Sequence, residues 1–222
     1  MNPLNVQIEW VYSQKKSKAV TFRSAEYLSL DQALLLAEDL ERTGRLQQIT
    51  FIDEQDRAWN TKELKKLTKH IEKEPSNIIA YFDGSYNKDT GEAGLGIVIY
   101  YQLNKDEYRI RANVKVHELT SNNEAEYAAF SLVMEQLAEM KVQSQTVTFK
   151  GDSQVVLKQL EGEWPCYEEV FIKWLDKIEA RIKALNIYPI YHPILRNDNS
   201  EADKLSKQAI QNIEIKSQIK IE

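Results

Sequence analysis

Cysteine is nearly absent from this sequence. Cys166 is the single one among 222 residues, so neither an intrachain disulfide nor a cysteine zinc site is available. There is no uninterrupted apolar run of transmembrane length. The opening residues, Met1-Asn2-Pro3-Leu4-Asn5, lack the basic-then-apolar layout of a secretion signal. Low-complexity tracts, a long linker and internal repeats are missing as well. What remains is 42% apolar and 28% charged, an ordinary composition for a soluble globular protein, and the expected location is cytoplasmic. An excess of positive charge is also lacking. The formal net charge is −5, whereas binders of polyanions are usually basic. Residues 1–74 carry 12 basic and 12 acidic groups, leaving 17 basic and 22 acidic in the remainder.

The stretch Lys73-Glu74-Pro75-Ser76-Asn77 separates two differently patterned regions, and Pro75 disfavours helix at the residue before it. A small α+β domain is therefore expected over residues 1–74 and a larger domain over 77–222. Upstream, Val6–Tyr12 and Ala19–Phe22 read as a hairpin across a basic loop. Ser29 and Gln32 have the spacing of a capping box. They open a helix with Leu30, Ala33, Leu34, Ala37 and Leu40 on its apolar face, ended by Gly44. Leu46–Asp53 is strand-like and Asp53-Glu54-Gln55-Asp56 a turn. Asn60 with Glu63 caps a second helix carrying Leu64, Leu67 and Ile71. A unit of roughly 70 residues is near the lower size for independent folding. Trp10, Tyr12, Lys15, Lys16 and Lys18 form a candidate binding patch around the hairpin, although packing of the aromatics and solvation of the lysines explains them more simply.

Downstream, Ile78–Asp83, Gly94–Gln102 and Glu107–Val116 are β-rich. Ser121 with Glu124 caps a helix whose apolar positions include Ala125, Ala128, Leu132 and Leu137. Then follow a strand at Thr146–Lys150, a helix from Ser153 to Leu160, a helix at Tyr167–Leu185, a strand at Tyr188–Leu195 and a helix at Asn199–Ile213. This order suits an α/β fold, a mixed sheet covered by helices. Ile213–Glu222 alternates isoleucine with polar residues, a candidate edge strand.

Four carboxylates stand in distinct settings: Asp83 in Tyr-Phe-Asp-Gly-Ser, Glu126 in Ser-Asn-Asn-Glu-Ala-Glu-Tyr, Asp152 in Phe-Lys-Gly-Asp-Ser-Gln, and Asp203 in Asn-Ser-Glu-Ala-Asp-Lys-Leu. Taken singly each has a plain explanation: an Asp-Gly turn, a helix-start acid, an N-cap and a solvated first-turn acid. Asp83 and Asp152 both end strands, where open α/β sheets usually bind ligands. Glu124 is the nearer candidate for the capping role, which leaves Glu126 free. Acids that repel one another gather most often around a pair of divalent cations, and such a pair is suited to cutting phosphodiesters.

With these motifs in place, residues 77–212 resemble the ribonuclease H type 1 family in its compact archaeal and bacterial form. The resemblance rests on Phe-Asp-Gly-Ser at 82–85, the motif at 121–127, Gly-Asp-Ser-Gln at 151–154 and the motif at 199–205. It implies a ribonuclease H-like five-stranded mixed sheet flanked by helices, with Asp83, Glu126, Asp152 and Asp203 as metal-binding acids. It further implies that Asn122, Asn123 and Gln154 contact the hybrid, and that Gly84 and Ser85 form the turn near the RNA strand. Arg196 matches a mobile basic element before the last acid. His192 competes for that role, but its place in a strand suggests a packed core histidine. The implied activity is metal-dependent endonucleolytic cleavage of the RNA strand of RNA–DNA hybrids. It would use two Mg²⁺, or Mn²⁺, and leave 5′-phosphate and 3′-hydroxyl ends.

Two departures stand out. The family's basic protrusion is replaced by the short Glu163-Trp164-Pro165-Cys166, and residues 1–74 do not show the basic aromatic pattern of the family's hybrid-binding domain. Two other readings stay open: a catalytically silent nucleic-acid-binding relative, and an adaptor recruiting a protein partner through residues 1–74. No membrane partner is expected.

Overall fold

A computed structural model describes residues 4–13, 18–71, 73–104 and 106–221, and the chain divides into two units, Met1–Glu74 and Pro75–Glu222. In the first unit, β1 (Asn5–Tyr12) turns Val6 and Ile8 inward at period two. It pairs antiparallel with β2 (Val20–Arg23), the short β3 (Leu28–Ser29) and β4 (Leu46–Asp53), and β4 pairs with β5 (Ala58–Trp59). The Ser29–Gln32 capping box is present at the start of α1 (Leu30–Arg42). This helix buries Leu30, Ala33 and Ala37 and gives way at Gly44, whose φ of 66° suits a residue without a Cβ. In α2 (Thr61–Ile71), Asn60 Oδ1 accepts from the Glu63 N–H at 2.9 Å and Glu63 accepts from the Asn60 N–H at 3.0 Å. Leu64 reaches the core, whereas Ile71, expected on the same face, is exposed because the last turn runs past it.

The turn expected at Asp53–Asp56 is present, closed by the Asp56 N–H on the Asp53 carbonyl at 3.0 Å, and the Asp53 side chain is fully buried. Burial alone would push its carboxyl up. The N–H groups of Gln55 and Arg57, Arg57 Nε at 2.8 Å and Trp59 Nε1 at 3.0 Å overcome that and hold it down at about 2. Of the hairpin patch, Lys15 and Lys16 lie outside the described residues. Trp10 stacks on Phe22 with ring centroids 5.6 Å apart, and the Tyr12 hydroxyl accepts from Arg45 at 2.9 Å.

In the second unit, β6 (Ser76–Asn87), β7 (Glu92–Leu103) and β8 (Asp106–Val116) form an antiparallel meander. After α3 (Asn122–Glu139) comes β9 (Thr146–Gly151), parallel to β6. Next come α4 (Gln154–Leu160), α5 (Glu169–Ala184) and β10 (Tyr188–Pro193), parallel to β9. A 3-10 turn at Arg196–Asn199 leads into α6 (Ser200–Ile210) and β11 (Lys216–Ile221). The sheet order is β10-β9-β6-β7-β8-β11. The tail therefore adds a sixth strand to the five implied by resemblance, antiparallel to β8. The last helix ends at Ile210 rather than Ile213, and Asn212, at φ 59°, turns the chain toward β11.

One sheet face presents Ile78, Ala80, Phe82, Ile97 and Phe149 to the buried side of α3, with Leu157 and Ile178 of α4 and α5 behind. Phe130 of α3 packs edge-on to Phe82 at 5.1 Å and tilted on Phe149 at 4.7 Å, each aromatic pair adding about 0.5–1.5 kcal/mol beyond burial. The opposite face receives α6, where Val98 meets Ala202 and Leu205. Gly96 makes this seating possible: a Cβ there would lie 2.3 Å from the Ala202 carbonyl oxygen. Among the described residues no helix is long and apolar enough to cross a membrane.

Candidate active site

Parallel pairing of β6 with β9 sets Tyr81 opposite Lys150. Two residues further along each strand path lie Asp83 and Asp152, so the register itself brings these acids side by side. Glu126 reaches them from α3, which approaches β6 closely because Gly84 has no side chain: a Cβ there would lie 2.2 Å from the Ala125 carbonyl carbon. Oxygens of Asp83, Glu126 and Asp152 all lie within 4.8 Å of one another. Asp83 and Glu126 are buried and Asp152 is half-buried.

Each acid is held by a specific partner. The Ser206 hydroxyl of α6 donates to Asp83 and also lies 2.7 Å from the Ser85 hydroxyl. Burial pushes the Asp83 carboxyl up to about 6. Asp152 and Asp203 push in the same direction, against the Ser206 hydrogen bond and Arg196. Glu126 is raised well above the usual carboxylate range, first by burial and then by Asp83 and Asp152, despite an N–H bond from Gly84. Asp152 does not cap the following helix, since Ser153 occupies the N-cap position. It accepts instead from Asn199 Nδ2 at 2.6 Å.

Asp203 lies outside the three-carboxylate cluster. Arg196 Nη2 donates to one of its oxygens at 3.3 Å and Lys207 Nζ to the other at 2.5 Å. His192 is a correction: it is exposed, not packed in the core, because β10 is an edge strand whose Tyr188, Ile190 and His192 face outward. Of the two candidates named for the mobile position, Arg196 pairs with Asp203, which Lys207 also reaches.

The remaining expected contacts are dispersed along the same segments. The Tyr86 N–H donates to Asn122 Oδ1 at 3.3 Å, while Asn123, in the first turn of α3, is exposed. Gln154 is exposed at the first turn of α4, its N–H on the Asp152 carbonyl at 3.1 Å. Glu124 accepts from the Thr120 N–H at 2.7 Å and from Trp174 Nε1 at 3.2 Å, which leaves Glu126 to face the other acids.

Sequence reasoning missed Asn199 and Ser206. Both are buried polar residues beside the apolar positions Ala202, Leu205 and Ala209. A serine on an apolar helix face was the available signal.

The carboxylates fit a divalent cation on the strength of one atom in particular. Glu126 Oε2 is buried and finds no hydrogen-bond partner, an arrangement that costs free energy unless a cation faces it. An all-oxygen donor set is the one hard cations such as Mg²⁺ prefer.

Sheet order, helices on both faces and acids gathered just beyond the parallel pairing of β6 with β9 define a ribonuclease H-like α/β protein. The profile of the family described as reverse transcriptase-like matches residues 81–209, and the chain belongs to this ribonuclease H family. It is similar to the uncharacterized protein YpeP of Bacillus subtilis, 43% identical over 208 residues, 94% of this chain and 92% of that one. That likeness therefore extends into the first unit. It is also similar to ribonuclease HI of Halobacterium salinarum, 27% identical over 133 residues, 60% of this chain and 64% of the relative. Among solved structures, LC11-RNase H1 in complex with an RNA/DNA hybrid aligns with a TM-score of 0.52 at 26% identity, covering 61% of this chain and 98% of that one.

Proposed function

We propose that this protein is a metal-dependent endoribonuclease that cuts the RNA strand of RNA–DNA hybrids. The observation that carries the reading is the convergence of Asp83, Glu126 and Asp152 within 4.8 Å around an unpartnered Glu126 oxygen. Three acids held together by the fold, two of them with raised proton affinity, have no structural purpose of their own.

Asp83, Glu126 and Asp152 would hold the cations, with Asp203 as the fourth ligand. When bound, divalent ions supply the charge that activates water and stabilises the leaving 3′ oxygen. Asn199 and Ser206 orient Asp152 and Asp83 for that task. Asn123, Gln154 and the backbone near Gly84 read the 2′-hydroxyls across the wide minor groove, the feature separating RNA from DNA. Arg196 moves between Asp203 and a substrate phosphate, positioning it or easing product release.

The test is cleavage of an end-labelled hybrid with and without Mg²⁺ or Mn²⁺, beside Asp83→Asn. Metal-dependent cutting of the RNA strand, absent in the variant, is expected. Hybrid binding with no cutting under either metal would favour the silent relative instead.

A further inference from the structure

Helix α2 of the first unit places Lys62, Lys66 and Lys69 at i, i+4 and i+7, with Lys73 just past its end. Together with Lys65 and His70 they line one exposed groove of about 780 Å³. Residues three and four apart on a helix are neighbours, and like charges there are destabilising. A solvated helix usually avoids the cost by alternating acids with lysines.

This helix does not. Glu63 is committed to capping with Asn60, Glu74 pairs with His70 at 3.3 Å, and Glu38 pairs with Lys65 at 3.0 Å. Among the described residues, Lys62, Lys66, Lys69 and Lys73 have no ion-pair partner. Lys62 also sits in the first helical turn, where the dipole disfavours a cation. The stripe stands out further because the chain as a whole is negative, at −5.

The second unit shows a complementary deficit. The basic residue next to its short Glu163–Cys166 segment, Lys158, is already tied to Glu161 at 2.9 Å and Glu163 at 2.7 Å. A nuclease built this way needs a phosphate-binding surface elsewhere.

We propose that the α2 stripe binds the sugar–phosphate backbone of a nucleic-acid duplex and so supplies the grip that the catalytic unit lacks. This rests on the nuclease reading. At 1.5 Å per residue the stripe runs about 10 Å from Lys62 to Lys69, the axial span of about three base steps. Lysines act as point charges rather than bidentate readers, so the surface grips without selecting sequence. Because both units share one chain, backbone binding by α2 raises the effective concentration of duplex at the carboxylates.

The test uses the full chain in three forms: wild type, a variant with Lys62, Lys66, Lys69 and Lys73 each changed to Gln, and one with all four changed to Arg. Binding of a fluorescent hybrid is followed by anisotropy in EDTA over a salt series, with thermal melting as a check on folding. The glutamine variant should lose about tenfold or more in affinity, and its log K against log salt should flatten by up to about 3.6, near 0.9 for each of the four lysines that no longer meets a phosphate. The arginine variant should keep both, with melting unchanged. Wild-type affinity and slope in the glutamine variant would overturn the proposal. So would binding to phosphatidylglycerol vesicles with none to the hybrid. Lysine-dependent binding by a protein that cuts nothing in Mg²⁺ would uphold the stripe and sink the nuclease reading. Cutting with an unchanged KM in the glutamine variant would do the reverse.

Discussion

Asn199 clasps Asp152: its Nδ2 lies 2.6 Å from Asp152 Oδ1 and 2.9 Å from the Phe82 carbonyl. One amide thus joins the middle of β6 and the residue after β9 to the turn that starts α6. Asn199→Ala should weaken Mg²⁺ affinity about 10- to 100-fold, the usual effect of removing a residue that orients a ligand. It should also cost about 1–3 kcal/mol through the orphaned Phe82 carbonyl. Calorimetric titration with Mg²⁺ checks the first and urea unfolding the second. Normal Mg²⁺ affinity in a destabilised variant would reduce Asn199 to a fold residue.

Asp83→Asn should move activity and stability in opposite directions. Cleavage disappears with the ligand charge, while the metal-free protein becomes more stable at pH 8. The sign follows from the raised carboxyl: stability from Asp83 is complete below its ordinary 3.8 and lost as pH rises through about 6. Removing the charge restores about 1–3 kcal/mol at pH 8. Scanning calorimetry should find the gain absent below the ordinary 3.8 and growing as pH rises to 8, and a variant less stable at pH 8 would refute the assignment of repulsion.

Gly84→Ala should be more damaging than most single changes to this chain. The new methyl would meet the Ala125 carbonyl carbon at 2.2 Å and the Glu126 nitrogen at 2.4 Å, so β6 and α3 must part. A loss of about 3 kcal/mol or more is expected, with Glu126 carried away from Asp83. Thermal melting and Mg²⁺ titration should both shift; a variant that melts normally shows that α3 can yield.

Acid should loosen the first unit through Asp53. Its carboxyl is held at about 2 against an ordinary 3.8. The stability it contributes is therefore complete above about 3.8 and lost as pH falls toward 2. Asp53→Asn should flatten that dependence and cost about 3 kcal/mol at pH 7 by breaking the buried bonds to Arg57 and Trp59. With Trp164→Phe and Trp174→Phe as background, fluorescence of Trp10 and Trp59 follows this unit alone. An unchanged acid transition would remove Asp53 as its cause.

Strands and helices were legible where periodicity and caps agreed, as at Ser29 with Gln32 and along Ile78–Asp83. The isoleucine alternation after residue 213 marked β11, although only pairing with β8 makes it a strand. The turn at Asp53–Asp56 was legible, but the burial of the Asp53 carboxylate was not, because Arg57 and Trp59 must fold back onto it first. His192 was misplaced because strand membership does not tell an edge from a centre. The acids were legible as a set of motifs, but Asn199 and Ser206 were not. Their partners lie 47 and 123 residues away in the chain, beyond any local pattern.

That last separation has a consequence for synthesis. Asp83 emerges early and Ser206 near the end, and the two meet only when α6 seats against the glycine-flattened face of β7. A ribosome-bound chain that stops short of Asn199 can build most of the sheet yet has neither tether for the carboxylates. On the nuclease reading, a nascent or prematurely terminated chain lacking α6 should be inert toward nucleic acid even where its sheet has formed.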